Sequence, residues 1–177
     1  FYLNDPDRIG IDNSHDRQRD EWTINESLTI DTDTLAVDVQ AILALHDANR
    51  EWTGFPAGTI LGHMHLTVSH LDANLKHLYF DALGFDFKTN FRESAYFISA
   101  GGYHHHIALN TWMGVGAPPS PQNASGLMAY SLNLSSLEKL QELRENLIKE
   151  GVSFIDKREK LVVNDVNGHD MVFIAKK

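Results

Sequence analysis

Cysteine is absent from the chain. Its absence excludes a disulfide framework, a thiol nucleophile and a thiolate metal site, and it suits a reducing cytoplasm, where we expect the protein. Long apolar runs are also missing: none nears the roughly 18–20 residues that span a bilayer as a helix, and no signal-peptide pattern opens the sequence. Positive charge is scarce, with 15 Lys and Arg against 24 Asp and Glu and a formal net charge of −9. Such a balance argues against nucleic acid or an anionic membrane as partner. No Ser-His-Asp order, phosphate loop or dinucleotide fingerprint stands out. What the chain does have is histidine, ten in 177 residues, which points to metal or proton chemistry. The length suits one domain of good size or two small fused modules.

Two stretches concentrate those histidines. In Gly62-His63-Met64-His65-Leu66-Thr67-Val68, Met64, Leu66 and Val68 alternate with His63, His65 and Thr67. That period of two predicts a strand with one core face and one face carrying two imidazoles and a hydroxyl. The second stretch is Tyr103-His104-His105-His106-Ile107-Ala108-Leu109-Asn110. Strict alternation puts His105 with Ile107 and Leu109 in the core, and His104 and His106 with Ala108 and Asn110 on the opposite face. Two such polar faces lining one cleft would bring four histidines together.

In chain order, residues 1–15 read as two strands joined by a turn at Pro6, with Asp5 bracing it. Residues 16–33 are polar and read as a surface linker anchored by Trp22. A short helix over 38–46 is expected to bury Val39, Ile42, Leu43 and Leu45. Strand 60–68 is followed by a helix over 69–84, with Asp72 as N-cap and Gly84 at its end, and by strands 85–89, 96–100 and 104–112. A turn-rich loop over 113–126 separates these from a second series: strand 127–134, a helix opened by a capping box at Ser135-Ser136-Leu137-Glu138, and strands 152–156, 160–164 and 171–175. Leu137, Leu140, Leu143, Leu147 and Ile148 are expected inward. Asp165-Val166-Asn167-Gly168 turns into the last strand, leaving His169 in solvent. The fold class is therefore α+β, with β-α-β-β-β repeated. The expected divisions are 1–57, a tail with linker and short helix, 58–115, the first module, and 116–177, the second.

Paired βαβββ modules opened by Gly-His-x-His-Leu-x-Val, with an Asp-x-x-Gly turn into the final strand, resemble the vicinal oxygen chelate superfamily. That group includes glyoxalase I, fosfomycin-resistance proteins and extradiol dioxygenases. The run from Gly102 to Trp112, and Leu3-Asn4-Asp5-Pro6-Asp7 leading to Ile11-Asp12 and Asp16-Arg17, are similar to its catechol 2,3-dioxygenase-like branch of four tandem modules. The resemblance makes residues 1–15 the tail strands of a preceding module. With Phe1 rather than Met at its start, the chain reads as a fragment of a longer one.

The resemblance implies a divalent metal, Fe(II) first and Mn(II) second, held by two His and one Glu so that positions stay open for substrate and O₂. His63 takes the first-strand ligand position. Asp12 takes the carboxylate position, one methylene shorter than the family's Glu. Ala129 and Val172, at the equivalent positions of the last module, cannot coordinate. The missing donors are therefore His104 or His106, or lie in absent N-terminal modules, or there is no metal. His65, His104 and His106 are the candidate acid–base groups, and Tyr103, Asn110 and Trp112 the candidate substrate-binding residues. Two readings remain open. One is an enzyme acting on a catecholic diol with O₂, or a glyoxalase-type isomerase. The other is a metal-free module that dimerises or completes a partner.

Overall fold

The computed structural model describes residues 2–26, 29–30, 35–45, 47, 50–121 and 123–176. Strands β1 (Tyr2–Asn4) and β2 (Gly10–Asp12) form an exposed antiparallel hairpin with Leu3 opposite Ile11. Asp5 Oδ1 accepts the Ile9 N–H at 2.7 Å, so the carboxylate braces the turn as its position after the strand suggests. Helix α1 (Val39–Ala44) is capped by Asp38, which accepts the Ala41 N–H at 2.9 Å. The expected burial there does not occur: Val39, Leu43 and Leu45 are exposed and Ile42 alone is half-buried. His46, at the end of that expected helix, lies outside the described residues.

The organised part is a pair of four-stranded sheets with the same strand order. In the first, β3 (Met64–Thr67) lies parallel to β6 (Ile107–Asn110), with β5 (Ala95–Ser99) and β4 (Asp86–Phe91) added antiparallel. The crossover is α2 (Ala73–Lys76), which widens into a π-helical segment over His77–Ala82. Asp72 caps it through the Leu75 N–H, and Gly84 leaves it at a φ of +74°, a conformation that costs a residue without Cβ little. In the second sheet β7 (Ala129–Leu134) lies parallel to β10 (Asp170–Ala175), followed by β9 (Lys160–Asn164) and β8 (Ile155–Asp156). Parallel neighbours need a crossover, and α3 (Leu137–Lys149) supplies this one.

One hydrophobic core draws on both sheets. Leu66, Val68, Ile107 and Leu109 of the first join Tyr130, Leu161, Val163, Met171 and Phe173 of the second through Leu75, Tyr79, Leu140, Leu143 and Leu147. Asn146 Nδ2 donates to the carbonyls of Asp81 and Ala82 at 2.6 and 2.9 Å, tying α3 to the end of the π-helical segment. The other face of the first sheet carries a separate small cluster of Ala95, Phe97 and Ala108 with Phe91, and the histidines gather there.

Two details of α3 depart from expectation. Its N-cap is Ser136, whose Oγ accepts the Lys139 N–H at 3.3 Å. The helix starts one residue later than the Ser135–Glu138 box requires, so Glu138 favours the first turn by charge alone. Leu137 and Ile148 are 60% and 65% exposed; the inward stripe is Leu140, Leu143 and Leu147, and Ile148 lies about 100° round the helix from Leu147. Ser136→Ala should therefore lower stability by about 1 kcal/mol in urea unfolding, whereas Ser135→Ala should leave the midpoint where it was. His169 is not in free solvent either: its Nδ1 lies 2.8 Å from the buried Asp165 carboxylate, which also accepts the Asn167 and His169 N–H groups and so shapes the last turn. Among the described residues, no helix is long and apolar enough to cross a membrane.

Candidate metal centre

His63 stands just before β3 and His65 within it, two residues apart and on the same side, with ring centroids 5.4 Å apart. The residue opposite His65 on β6 is Ala108, and that small side chain leaves room above it. Phe97, opposite Ala108 on β5, supplies a floor on which the His105 ring stacks at 4.5 Å and 20°. His105 then meets His63 at 4.2 Å and His65 at 5.6 Å between centroids. One ring nitrogen from each of His63, His65 and His105 lies within 4.8 Å of the others.

His105 was expected in the core beside Ile107 and Leu109, with His104 and His106 facing the cleft. The structure differs at His105 and His106, while His104 does line a cavity beside His63. The β6 ladder begins only at Ile107, and Gly101 and Gly102, both at positive φ, turn the chain before it. Outside the ladder, strand alternation no longer binds residues 104–106. His105 turns to the Phe97 side and is 9% exposed. His106 faces back along the turn, where its Nδ1 accepts the Ala100 N–H at 3.2 Å. His104 lies between, its ring 5.7 Å from His63.

The segment after β2, read as a surface linker, packs onto these residues. Asp16 accepts hydrogen bonds from Tyr103 Oη and from His104 Nε2, the latter at 3.1 Å. The Trp22 ring lies 5.3 Å from that of His104, and Arg19 donates to the Gly101 carbonyl at 3.3 Å. The Asp12 carboxylate on β2 lies 3.9 Å from His63 Nε2. A cavity of about 250 Å³ opens among His15, Asp16, Arg17, Trp22, Ile30, His104 and His105. A larger groove, about 550 Å³, runs over Lys157–Lys160 and Ile174 on the second sheet, away from every group described here.

Of the expected substrate-binding residues, Trp112 places its ring 5.4 Å from His65 and donates its indole N–H to Ser94 Oγ at 3.2 Å. Asn110 is buried and accepts the Trp112 N–H at 3.2 Å, bracing the turn after β6. Tyr103 is committed to Asp16. Ala129 and Val172 offer no donor on the second sheet. Sequence reasoning missed His105 and Asp16 as site residues. The Gly101-Gly102 pair was a readable sign that alternation breaks before His105; nothing local marks Asp16.

Burial holds the site histidines neutral. It lowers the pKa of His63, with the neighbouring His104 adding to the effect and Asp12 and Asp16 opposing it. His65 is lowered by burial and then by His63. His105 is pushed down to about 2, by burial first and then by His63, His104 and His65. Burial also pushes the Asp16 carboxyl up, but hydrogen bonds from Tyr103 and His104 outweigh it and hold it below the usual range. An unfolded chain recovers the ordinary histidine value near 6.5. Between that value and about 2, the unfolded state binds more protons at His105, so stability rises with pH there. Metal-free protein should lose up to about 1.4 kcal/mol for each pH unit below 6.5 from His105 alone. Urea midpoints at pH 7.5 and 5.5 test this; equal midpoints would contradict a buried neutral His105.

The donor set fits a divalent cation. Three neutral imidazoles converge beside one carboxylate, and His105 Nε2 is buried with no hydrogen-bond partner among the described residues. Such a nitrogen calls for a ligand or a proton donor, and imidazole with carboxylate suits Fe, Zn or Mn.

Comparison with known proteins adds to this. No family model matches the chain. It is 41% identical over 176 residues to a catechol-2,3-dioxygenase of Bacillus subtilis (strain 168), which covers 98% of this chain and 61% of that protein, so the chain spans about three-fifths of its relative's length. Lactoylglutathione lyase from Agrobacterium tumefaciens superposes with a TM-score of 0.51 at 13% identity, over 68% of this chain and 96% of the other. A glyoxylase/bleomycin resistance protein/dioxygenase domain from Frankia sp. EAN1pec does so with a TM-score of 0.51 at 20% identity, over 67% and 93%. With its repeated βαβββ order the chain shares the fold of these glyoxalase and dioxygenase-family domains, and it is similar to a catechol-2,3-dioxygenase over about three-fifths of that protein's length.

Proposed function

We propose that these residues form the metal-binding part of an extradiol ring-cleaving dioxygenase, acting on a catecholic diol with O₂. The observation that carries this reading is the convergence of His63, His65 and His105 beside the Asp12 carboxylate, taken with the 41% identity to a catechol-2,3-dioxygenase. His63 and Asp12 would hold the metal, Fe(II) by preference and Mn(II) as the alternative, with His65 or His105 as third donor. When bound, such a metal supplies Lewis acidity and a template for substrate oxygens and O₂. The chain's own groups do the rest. Where His105 is the third donor, His65, at the open side of the cluster and with its pKa lowered by burial, can accept a proton from a substrate hydroxyl. The rings of Trp112 and Phe97 flank it. The cavity beside His104 and His105 is below the ~300–1,000 Å³ usual for drug-sized ligands and suits a single ring. A second copy or a further module is the partner we propose for the exposed β1–β2 hairpin, which leaves Tyr2, Leu3, Ile9 and Ile11 open.

Anaerobic loading with Fe(II), followed by catechol and an oxygen electrode, tests the reading. Oxygen uptake matched by ring-opened product is expected. A protein that takes up no metal after loading would overturn it in favour of a non-catalytic module, the reading that Ala129 and Val172 support.

A further inference from the structure

The histidine cluster does not account for the hydrogen bonds that run into it from the segment after β2. Tyr103 Oη donates to Asp16, Asp16 Oδ1 lies 3.1 Å from His104 Nε2, and His104 Nδ1 lies 2.8 Å from His105 Nδ1. The other His105 nitrogen, Nε2, is buried and without a hydrogen-bond partner among the described residues. Hydrogens can be assigned along this line. An ionised carboxylate only accepts, so His104 Nε2 carries a hydrogen. In its neutral form an imidazole carries one N–H, so with His104 neutral its Nδ1 is a lone pair. The hydrogen in the short contact then belongs to His105 Nδ1, which leaves His105 Nε2 bare.

We propose that Asp16 and His104 are positioning residues that lock His105 in its Nδ1–H tautomer and keep its Nε2 lone pair available to the cluster of His63 and His65. The opposite tautomer would put an N–H at Nε2, which has no hydrogen-bond partner among the described residues, and two lone pairs face to face at 2.8 Å. Outer partners that fix a histidine's tautomer tune its strength as a donor. The Trp22 ring against His104 and the Arg19 bond to Gly101 hold the relay in place. The tautomer stands on these hydrogen bonds alone; its use in holding a cation rests on the function proposed above.

Side-chain ¹⁵N spectra of the metal-free, full 177-residue chain read the tautomer directly. His105 is expected as a single Nδ1–H form in the wild type. His104→Gln, whose amide offers both an acceptor and a donor, should preserve that form, and His104→Leu should convert His105 mainly to Nε2–H. Asp16→Ala, on the exposed segment, should give a mixture and carries the test if His104→Leu fails to fold. Titration with Co(II) should be about 10–100-fold weaker for His104→Leu and be restored in His104→Gln. A wild-type His105 in the Nε2–H form, or an Nδ1–H form that persists in both His104→Leu and Asp16→Ala, would overturn the proposal. A tautomer that moves as expected in a protein that binds no Co(II) would uphold the lock and remove the metal reading instead.

Discussion

His63→Ala should empty the metal site while leaving the fold intact. His63 is the hub of the cluster, with ring centroids 5.4, 5.7 and 4.2 Å from those of His65, His104 and His105, and with Asp12 at 3.9 Å. Its removal takes away one donor and separates Asp12 from the remaining imidazoles, so metal content by plasma mass spectrometry should fall from about one per chain to near zero. Affinity for Co(II) should drop by more than 100-fold, or about 3 kcal/mol. Stability of the metal-free protein should change by less than about 1 kcal/mol, because His63 lies outside the main core. A His63→Ala protein that keeps its metal would place the binding site elsewhere and dissolve the functional reading.

The largest effect on stability is expected at Leu147→Ala. Leu147 is fully buried on α3 among residues of both sheets. Truncation removes its transfer free energy and leaves a cavity that interlocked β-strands cannot close, which costs about 2–5 kcal/mol. Its neighbour Ile148 is 65% exposed, so Ile148→Ala should stay within about 0.5 kcal/mol. Urea unfolding of the pair tests whether one core serves both sheets. A loss below about 1 kcal/mol at Leu147 would mean that α3 is not tightly packed against the second sheet and the first crossover helix.

The sequence was most legible where local chemistry decides. Period two placed Leu66 and Val68 inward and His65 outward, and Asp72 opened and Gly84 closed the first crossover helix where a cap and a left-handed backbone allow. The repeat of βαβββ was readable for the same reason, since each strand and helix carries its own pattern. Reading failed where partners are distant. His105 escaped because alternation was carried three residues past the end of the β6 ladder. Asp16 escaped because its partners, Tyr103 and His104, lie 87 and 88 residues away, and no periodicity reports such a contact. Leu137 opens the helix and Ile148 lies about 100° round from Leu147, so both fall beside the inward stripe rather than in it.

The segment from Asp16 to Trp22 holds the site by polar and aromatic edge contacts, and its helical turn at Arg19–Glu21 buries no residue. Segments attached so lightly open by sub-global fluctuation, at a free energy well below that of the whole fold. The segment that holds the relay therefore belongs to a different cooperative unit from the core. Amide exchange should report rapid opening around residues 16–22 under conditions in which Leu109 and Val163 stay protected. Because only the closed form keeps the relay, apparent ligand affinity scales with the closed fraction, and the protein can lose its chemistry on heating long before it loses its shape.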